Sequence, residues 1–346
     1  MKQSTRTFAV MVASLGFAAQ ALAASVGWQS FEVAAASGSP SIPVALYYPT
    51  QTPARTVQMG VFTVHAAIQA TPDDGVKGLI VLSHGASGIE LGHSSLAESL
   101  AQQGYLVAAP RHPGDNWEDR SLMQAGAAPY FTERPKQLSR VIDALLGDPA
   151  WRARIASDSQ GPRVGALGHS MGGYTVLALA GAKPDSARYG THCAQHRAED
   201  PIFCSMGKAS TPSASPAAAM PPLGDSRVRA VVALAPAGAM FQADAFAEVR
   251  IPVAVYAAEH DRFNVPRFHA EWIHTNLPGS RLHTVKNAGH YAFMDTPSIS
   301  IQTPAGDLRA DPPGFDRSAF LKTLGEALAT FFDEAWSTPT QSGTNP

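Results

Sequence analysis

A serine in a short glycine-rich segment is the strongest candidate for chemistry in this 346-residue chain. Residues 168–172 read Gly-His-Ser-Met-Gly, so Ser170 stands at the centre of the pattern G-x-S-x-G. An apolar, strand-like run at 164–167 precedes the pattern, and a helix-compatible run at 174–182 follows it. In that setting the pattern predicts a nucleophile elbow, a strained turn that lifts the serine hydroxyl above a sheet edge. Taken alone, the letters also fit a turn without chemistry, so further partners matter.

A serine hydroxyl is a poor nucleophile until a base takes its proton, and that base needs an orienting carboxylate. Two strand exits downstream supply both groups in the chain order Ser, Asp, His. A strand-like run at 251–257 leads to Asp261, and another at 281–286 leads to His290. We therefore assign Ser170 as the nucleophile, His290 as general base and acid, and Asp261 as the group that holds the histidine tautomer.

Other residues compete for these assignments. Glu259 is the alternative to Asp261, but Asp261 lies at the loop tip. Asp295 follows His290 too closely to approach it from another strand. Among the twelve histidines, His290 is distinguished by following a glycine at the final strand exit. We expect His169 to pack locally. Four others are predicted on surfaces or helix faces: His260, His269, His274 and His283.

An oxyanion hole requires two backbone N–H groups near the nucleophile. Met171 follows the nucleophile and is assigned as one donor. The strand-like run at 76–83 leads into His-Gly-Ala at 84–86, and Ala86 is assigned as the second donor. A plain glycine turn after a strand is the alternative for that loop.

The substrate pocket has weaker signals. Trp117, Tyr130 and Phe131 lie in a loop-like region after a strand predicted at 105–109, where they are candidates for the lining of an acyl pocket. Tyr291, beside the histidine, is a candidate for the edge of the site. Loop aromatics are about as often simple packing residues. The Pro-, Ala- and Ser-rich stretch at 183–226 is predicted as an insertion, either a lid or a surface loop.

The remaining pattern alternates strands with helices after an opening hairpin at 28–35 and 42–48. Such alternation predicts an α/β domain with a mostly parallel sheet and helices on both faces. The domain is expected over 24–336, with the insertion after the nucleophile helix and a disordered tail at 337–346. Its other helices are predicted at 94–104, 133–146, 268–277 and 316–336.

Residues 1–23 have the pattern of a secretory signal peptide, with a basic start, an apolar stretch and Ala-Leu-Ala at 21–23. An uncleaved anchor is the alternative. Export to the periplasm or the medium favours a disulfide between Cys193 and Cys204, the two cysteines of the chain. His192 and His196 flank the first of them, so a metal site is the competing interpretation.

Composition excludes some partners. The formal net charge is -2 and no basic run is present, so neither nucleic acid nor an anionic membrane surface is expected as a partner. No stretch is long enough for stable insertion into a membrane. The hydrophobic content of 45% is ample for a core.

The motifs together resemble a known family. Residues 83–85, 110–114, 168–173, 259–261 and 289–290 are similar to those of exported serine esterases of the α/β-hydrolase superfamily. The closest set is the platelet-activating-factor acetylhydrolase-like proteins, often labelled predicted dienelactone hydrolases. The resemblance covers most of 78–332. Serine stands where true dienelactone hydrolases have cysteine.

This resemblance implies the α/β-hydrolase fold and a carboxylic-ester hydrolase that needs no cofactor and no metal. It implies the triad Ser170, Asp261 and His290, and it supports Ala86 and Met171 as oxyanion donors. Short- to medium-chain, lipid-like or polyester esters are the expected substrates, since cutinase-like and polyester hydrolases share the superfamily. A serine peptidase or amidase with the same triad is the alternative, followed by a non-catalytic binding protein.

Overall fold

The computed structural model describes residues 25–36, 38–206 and 220–337. The predicted signal peptide and residues 338–346 of the predicted tail lie outside the described residues, as do residues 207–219 of the insertion. Among the residues described, no helix is both long and apolar enough to cross a membrane.

Within the described residues, ten strands form the main sheet. They are β1 (Ser25–Val33), β2 (Ile42–Thr50), β3 (Arg55–Met59), β4 (Phe62–Ile68), β5 (Leu79–Ser83), β6 (Leu106–Pro110), β9 (Val164–His169), β10 (Val228–Leu234), β11 (Val253–Ala258) and β12 (Arg281–Val285). Two small hairpins lie outside this sheet: β7 (Ser157–Asp158) with β8 (Gly161–Pro162), and β13 (Gln302–Thr303) with β14 (Gly306–Asp307).

The strand order across the sheet is β12-β11-β10-β9-β5-β6-β2-β1-β4-β3. From β12 to β6 all neighbours are parallel. β2 joins β6 antiparallel, and β1 pairs antiparallel with β2, which confirms the opening hairpin. The predicted mostly parallel α/β sheet is therefore confirmed. The sheet ends on this side in the β3–β4 hairpin.

Helices cover both faces of the sheet. In the described part of the chain they are α1 (Ser94–Gln102), α2 (Ser121–Gln124), α3 (Ala127–Gly147), α4 (Pro149–Arg154), α5 (Met171–Leu179), α6 (Ser186–His196), α7 (Phe203–Met206), α8 (Ala270–Asn276) and α9 (Arg317–Ser337). One buried core lies between the sheet and α3, α5 and α8, and the other lies between the sheet and α1 and α9. Each core exists because the apolar side of a strand or helix must be removed from water.

Helix α3 differs from its prediction. It begins at Ala127, six residues before the expected start at Glu133. Pro129 falls in its first turn, where a missing N–H costs no helical hydrogen bond. Pro135 lies inside the helix and cannot donate to the carbonyl of Phe131, which instead accepts a hydrogen bond from the Tyr174 hydroxyl at 3.0 Å. This bond ties α3 to α5.

The insertion has helices in the part that the structure describes. Its described part contains α6 and α7, and Cys193 in the first is joined to Cys204 in the second by a disulfide. The predicted disulfide is thus present. A short carboxyl-rich link between the two helices, Glu199 and Asp200, is anchored to the loop before α8 through Arg267 and His269.

Candidate active site

Ser170 occupies the turn between β9 and α5 with a φ of +57°. This left-handed conformation is unusual for a residue with a side chain and marks the turn as strained. A Cβ on Gly168 would lie 2.1 Å from the carbonyl oxygen of Gly172, and one on Gly172 would lie 1.9 Å from the carbonyl oxygen of Ser83. Only glycine fits at these two positions, so the sequence pattern follows from the close approach of strand and helix.

The three assigned residues come together at the carboxyl edge of the sheet. The Ser170 Oγ lies 3.0 Å from His290 Nε2, and His290 Nδ1 lies 2.8 Å from Asp261 Oδ2. Because a carboxylate only accepts, Nδ1 carries the proton and Nε2 is free to accept from the serine. The other carboxylate oxygen accepts from the amides of Phe263 and Asn264, both at 2.8 Å. The carboxylate of Asp261 is therefore fixed on both sides.

The competing carboxylates lie elsewhere. Glu259 accepts from the Lys286 ammonium at 2.9 Å and from the Asn287 amide at 2.8 Å. Asp295 binds the amide and the hydroxyl of Ser95. Burial raises the pKa of the Asp295 carboxyl to about 6. Both carboxylates are thus committed to partners other than His290.

Two rings hold the histidine in place. His169 is buried, its ring centroid is 4.8 Å from that of His290, and its Nε2 lies 3.0 Å from the His290 carbonyl oxygen. Phe263 stacks on the same imidazole at 4.9 Å. Burial keeps the pKa of His169 well below its usual value, so this imidazole is neutral and adds no positive charge beside His290.

The assigned oxyanion donors lie beside the nucleophile. Ala86, Ser170 and Met171 line one cavity, and a Cβ on Gly85 would lie 3.3 Å from the Ser170 Cβ. Met171 is the first residue of α5, where the N–H has no acceptor within the helix. Within the described residues, the amide of Ala86 has no protein acceptor either. Both residues with a free amide therefore line the same cavity as the serine.

This cavity has a volume of about 460 Å³ and a mostly apolar wall. Tyr130 and Phe131 lie in the wall as expected, although they belong to α3 and not to a loop. The insertion adds three wall residues that the sequence analysis missed, namely Tyr189, Phe203 and Met206. Their signal in the sequence is weak, because contacts between α6 and α7, the disulfide and the Tyr189–Phe203 ring contact among them, bring these residues together beside the serine.

One pocket expectation requires correction. Trp117 is 58% exposed and lies outside the cavity wall, because its loop is folded by Asn116, whose side-chain oxygen accepts from the amides of Glu118 and Asp119. Tyr291 also lies outside the wall, and its ring packs edge-on against His290 with 5.5 Å between centroids. Tyr291 therefore borders His290, at the edge of the candidate site, as expected.

A buried polar cluster supports the insertion. Asp200 Oδ2 lies 2.8 Å from His192 Nε2 and 2.9 Å from His269 Nε2. The Nδ1 of His269 accepts from the Gly238 amide, so its Nε2 carries the proton. His269 is fully buried, so its predicted place on a surface or helix face is wrong. Donor atoms of His192, Asp200 and Cys204 lie within 4.8 Å of one another, but the Cys204 sulfur is committed to the disulfide.

A buried arginine is the main residue that the sequence analysis missed. Arg134 has no exposed surface and pairs with Asp115, which is equally buried. Its signal was present in the sequence, because Arg134 falls on the apolar stripe of α3 between Phe131 and Leu138. A charge at such a position predicts a buried partner.

Comparisons with known proteins establish the fold. No protein-family model and no curated protein matches the chain. A ferulic acid esterase from Streptomyces cinnamoneus has a similar structure, with 20% identity, a TM-score of 0.60 and 95% of each chain covered. A predicted CIB-like hydrolase from Thermoplasma acidophilum aligns with a TM-score of 0.46 and 13% identity over 88% of this chain and 99% of that chain. The first likeness confirms the α/β-hydrolase fold.

Proposed function

We propose that the protein is an exported serine carboxylic-ester hydrolase that works by two-step acyl transfer through an acyl-Ser170 intermediate. The supporting observation is the hydrogen-bonded chain from Ser170 through His290 to Asp261, with steps of 3.0 and 2.8 Å, at the wall of an apolar cavity. Such a chain converts an unreactive hydroxyl into a nucleophile.

In the first step the Ser170 Oγ attacks the ester carbonyl carbon while its proton moves to His290 Nε2. The resulting imidazolium is stabilised by Asp261, and the oxyanion accepts from the amides of Ala86 and Met171. The carbon–oxygen bond to the alcohol then breaks, and the proton on His290 passes to the leaving alkoxide. The products of this half are the free alcohol and acyl-Ser170.

In the second step the same residues act on water. His290 Nε2 takes a proton from a water molecule as the water oxygen attacks the acyl carbon, and the same two amides hold the oxyanion. The bond to Ser170 breaks and its Oγ regains the proton. The carboxylic acid leaves and the enzyme returns to its starting state.

The wall and the volume of the cavity indicate which acyl groups the protein accepts. Its wall combines aromatic rings with four methionines, a flexible apolar lining that suits chains of different shape, namely Met123, Met171, Met206 and Met240. Short- to medium-chain acyl groups, lipid-like or polyester segments fit a volume of about 460 Å³. An aromatic acyl group, as the name of the Streptomyces esterase indicates for that protein, belongs in the same test.

Export is part of the proposal. It is supported by the signal-peptide pattern at 1–23 and by the disulfide between Cys193 and Cys204, since disulfides persist in oxidising compartments. Expression of the full chain in a bacterial host with a periplasm, followed by amino-terminal sequencing of the exported protein, should give a chain that begins at Ala24. A cytoplasmic protein that keeps residues 1–23 would refute export.

Hydrolysis of p-nitrophenyl esters from acetate to palmitate, with methyl ferulate and a soluble polyester oligomer beside them, tests the function. We expect turnover with an optimum at short to medium chains. Ser170→Ala should lower the rate about 10⁴-fold or more. Ser318→Ala, an exposed serine on α9, is the matched control and should keep full activity. Equal rates in the Ser170 variant and the wild type would refute the proposal.

A further inference from the structure

The buried ion pair between Arg134 and Asp115 lies against the loop that carries Ala86. Both side chains have no exposed surface, and Arg134 Nη1 lies 2.5 Å from Asp115 Oδ2. Burying two charges offsets most of the energy that their attraction supplies, so such a pair is a poor device for stability alone. Its placement suggests a role in geometry.

The pair binds the loop on both sides of Ala86. Arg134 Nη2 donates to the carbonyl oxygen of His84, and Asp115 Oδ1 accepts from the Ser87 amide at 2.8 Å. Ser87 has a φ of +55°, a left-handed conformation that a serine adopts only when its surroundings impose it. Ala86 lies between these two contacts, so the ion pair fixes the position of its backbone.

The same arginine also reaches the helix that carries the other amide. Arg134 Nε donates to Thr175 Oγ1 at 3.1 Å, and that hydroxyl donates to the carbonyl oxygen of Met171 at 2.8 Å. One rigid guanidinium thus joins the loop of Ala86 to the first turn of α5.

The acyl cavity connects to this pair as well. The Tyr130 hydroxyl donates to Asp115 Oδ2 at 2.8 Å while the tyrosine lines the cavity wall. Beside the arginine, His112 Nε2 accepts from the Ser83 hydroxyl at 2.8 Å, and Arg134 donates to the same hydroxyl oxygen at 3.1 Å. The guanidinium thus contacts the end of β5, the loop of Ala86 and helix α5 at once.

We propose that Arg134 and Asp115 are positioning residues for the oxyanion hole, which fix the amides of Ala86 and Met171 relative to Ser170. This inference rests on the proposed esterase function. Neither residue contacts the substrate. They act by setting the distance between two donors that must both reach one oxygen atom as it becomes charged.

The expected effect falls on the chemical step. Loss of one oxyanion donor typically costs about 10²–10³-fold in kcat. A displaced but present donor should cost less, so we expect kcat to fall about 10- to 100-fold when the pair is removed. The two amides bind the uncharged ester carbonyl of the substrate only weakly. The affinity for the substrate therefore changes little, and KM should change less than about threefold.

The test uses two variants of the full protein. Asp115→Leu/Arg134→Met removes both charges and leaves none unpaired in the core, which favours folding. Arg134→Lys keeps a charge beside Asp115 but gives up the planar fork that reaches His84 and Thr175. Arg140→Gln is the control, since Arg140 is a half-buried arginine on the same helix that donates to the Ala34 carbonyl, away from the pair.

Three quantities separate positioning from folding. Titration with a fluorophosphonate counts the competent serines, so kcat can be expressed per labelled site. KM comes from the same assay with a p-nitrophenyl ester. The inhibition constant of an alkyl boronic acid, which forms a tetrahedral adduct on the serine, reports on the geometry of the oxyanion hole.

Positioning predicts that kcat per labelled site falls in both variants while KM stays nearly constant, and that the boronic acid inhibition constant rises by a similar factor. Unchanged kcat per labelled site in a folded double variant would overturn the inference. Failure of the proposed function is distinguishable, because the wild-type protein would then show neither labelling nor turnover.

Discussion

The imidazole of His169 lies against that of His290, with 4.8 Å between ring centroids, and binds its carbonyl oxygen through Nε2 at 3.0 Å. The residue inside the elbow thus holds the backbone of the residue assigned as base. His169 ends β9 directly before the serine and His290 follows β12, so a change at 169 should displace the base relative to the serine.

His169→Ala should lower kcat about tenfold or more, because a small displacement of a catalytic group carries a large cost in rate. His169→Gln retains a side-chain donor and should recover part of that loss. Steady-state kinetics on a p-nitrophenyl ester measure both. Alanine and glutamine variants with equal, undiminished kcat would contradict a role for this contact.

The bond between Tyr174 and the Phe131 carbonyl has a cause in the sequence, since Pro135 has no N–H to offer that carbonyl. Tyr174→Phe should therefore leave a buried acceptor unsatisfied and lower the free energy of unfolding by about 1–3 kcal/mol. Urea unfolding measures the change.

Pro135→Ala provides the matched control for that bond, because alanine restores a donor to Phe131 within α3. The cost of Tyr174→Phe should be smaller in the Pro135→Ala background than in the wild type. Equal costs in the two backgrounds would show that the carbonyl is not the reason for the loss.

The stability of the protein should depend on the ionisation of His93. Burial lowers the pKa of His93 to about 4, and within the described residues neither ring nitrogen has a hydrogen-bond partner. In the unfolded chain this histidine takes up a proton near pH 6.5. The unfolded state thus binds more protons between pH 6.5 and 4, and the stability owed to neutral His93 falls as pH falls through that range.

His93→Leu should remove this dependence. We compare the unfolding free energy of the variant with that of the wild type at each pH. Relative to the wild type, the variant should be about 2 kcal/mol more stable at pH 5 than it is at pH 7. The comparison with the variant is needed because burial raises the pKa of Glu98 to about 8, which contributes with the opposite sign. A difference that stays constant between the two pH values would contradict the prediction.

The disulfide should act on substrate binding. It joins α6 to α7, which carry the cavity residues Tyr189, Phe203 and Met206. Cys193→Ala/Cys204→Ala should raise KM for medium-chain esters several-fold while kcat for acetate stays close to that of the wild type. Reduction of the wild-type protein by a dithiol should reproduce the change in KM. Identical kinetics in the double variant and the wild type would show that the disulfide does not maintain the wall.

The sheet could be predicted because its signals are local. Buried strands such as β5 and β9 are continuous apolar runs, and their parallel order follows from the helices between them. The same logic places Ser170, Asp261 and His290 at one edge, since each follows a parallel strand. The distances among them require the structure.

The residues around the site could not be found in this way, because they depend on contacts between distant segments. Arg134 meets His84 across fifty residues of chain, and nothing near either residue specifies the other. The early start of α3 was hidden by Pro129, which is tolerated in a first turn but is ordinarily a sign of a loop. Trp117 shows the converse, an aromatic that looks suited to a pocket and faces solvent.

The most direct test of the central claim is to map the serine that reacts. The purified protein is treated with a fluorophosphonate and digested, and the modified peptide is identified by mass spectrometry. We predict one adduct, on Ser170, in step with the loss of ester hydrolysis, and none in Ser170→Ala. Hydrolysis that survives full labelling of Ser170, or an adduct on another serine that abolishes it, would contradict the assignment.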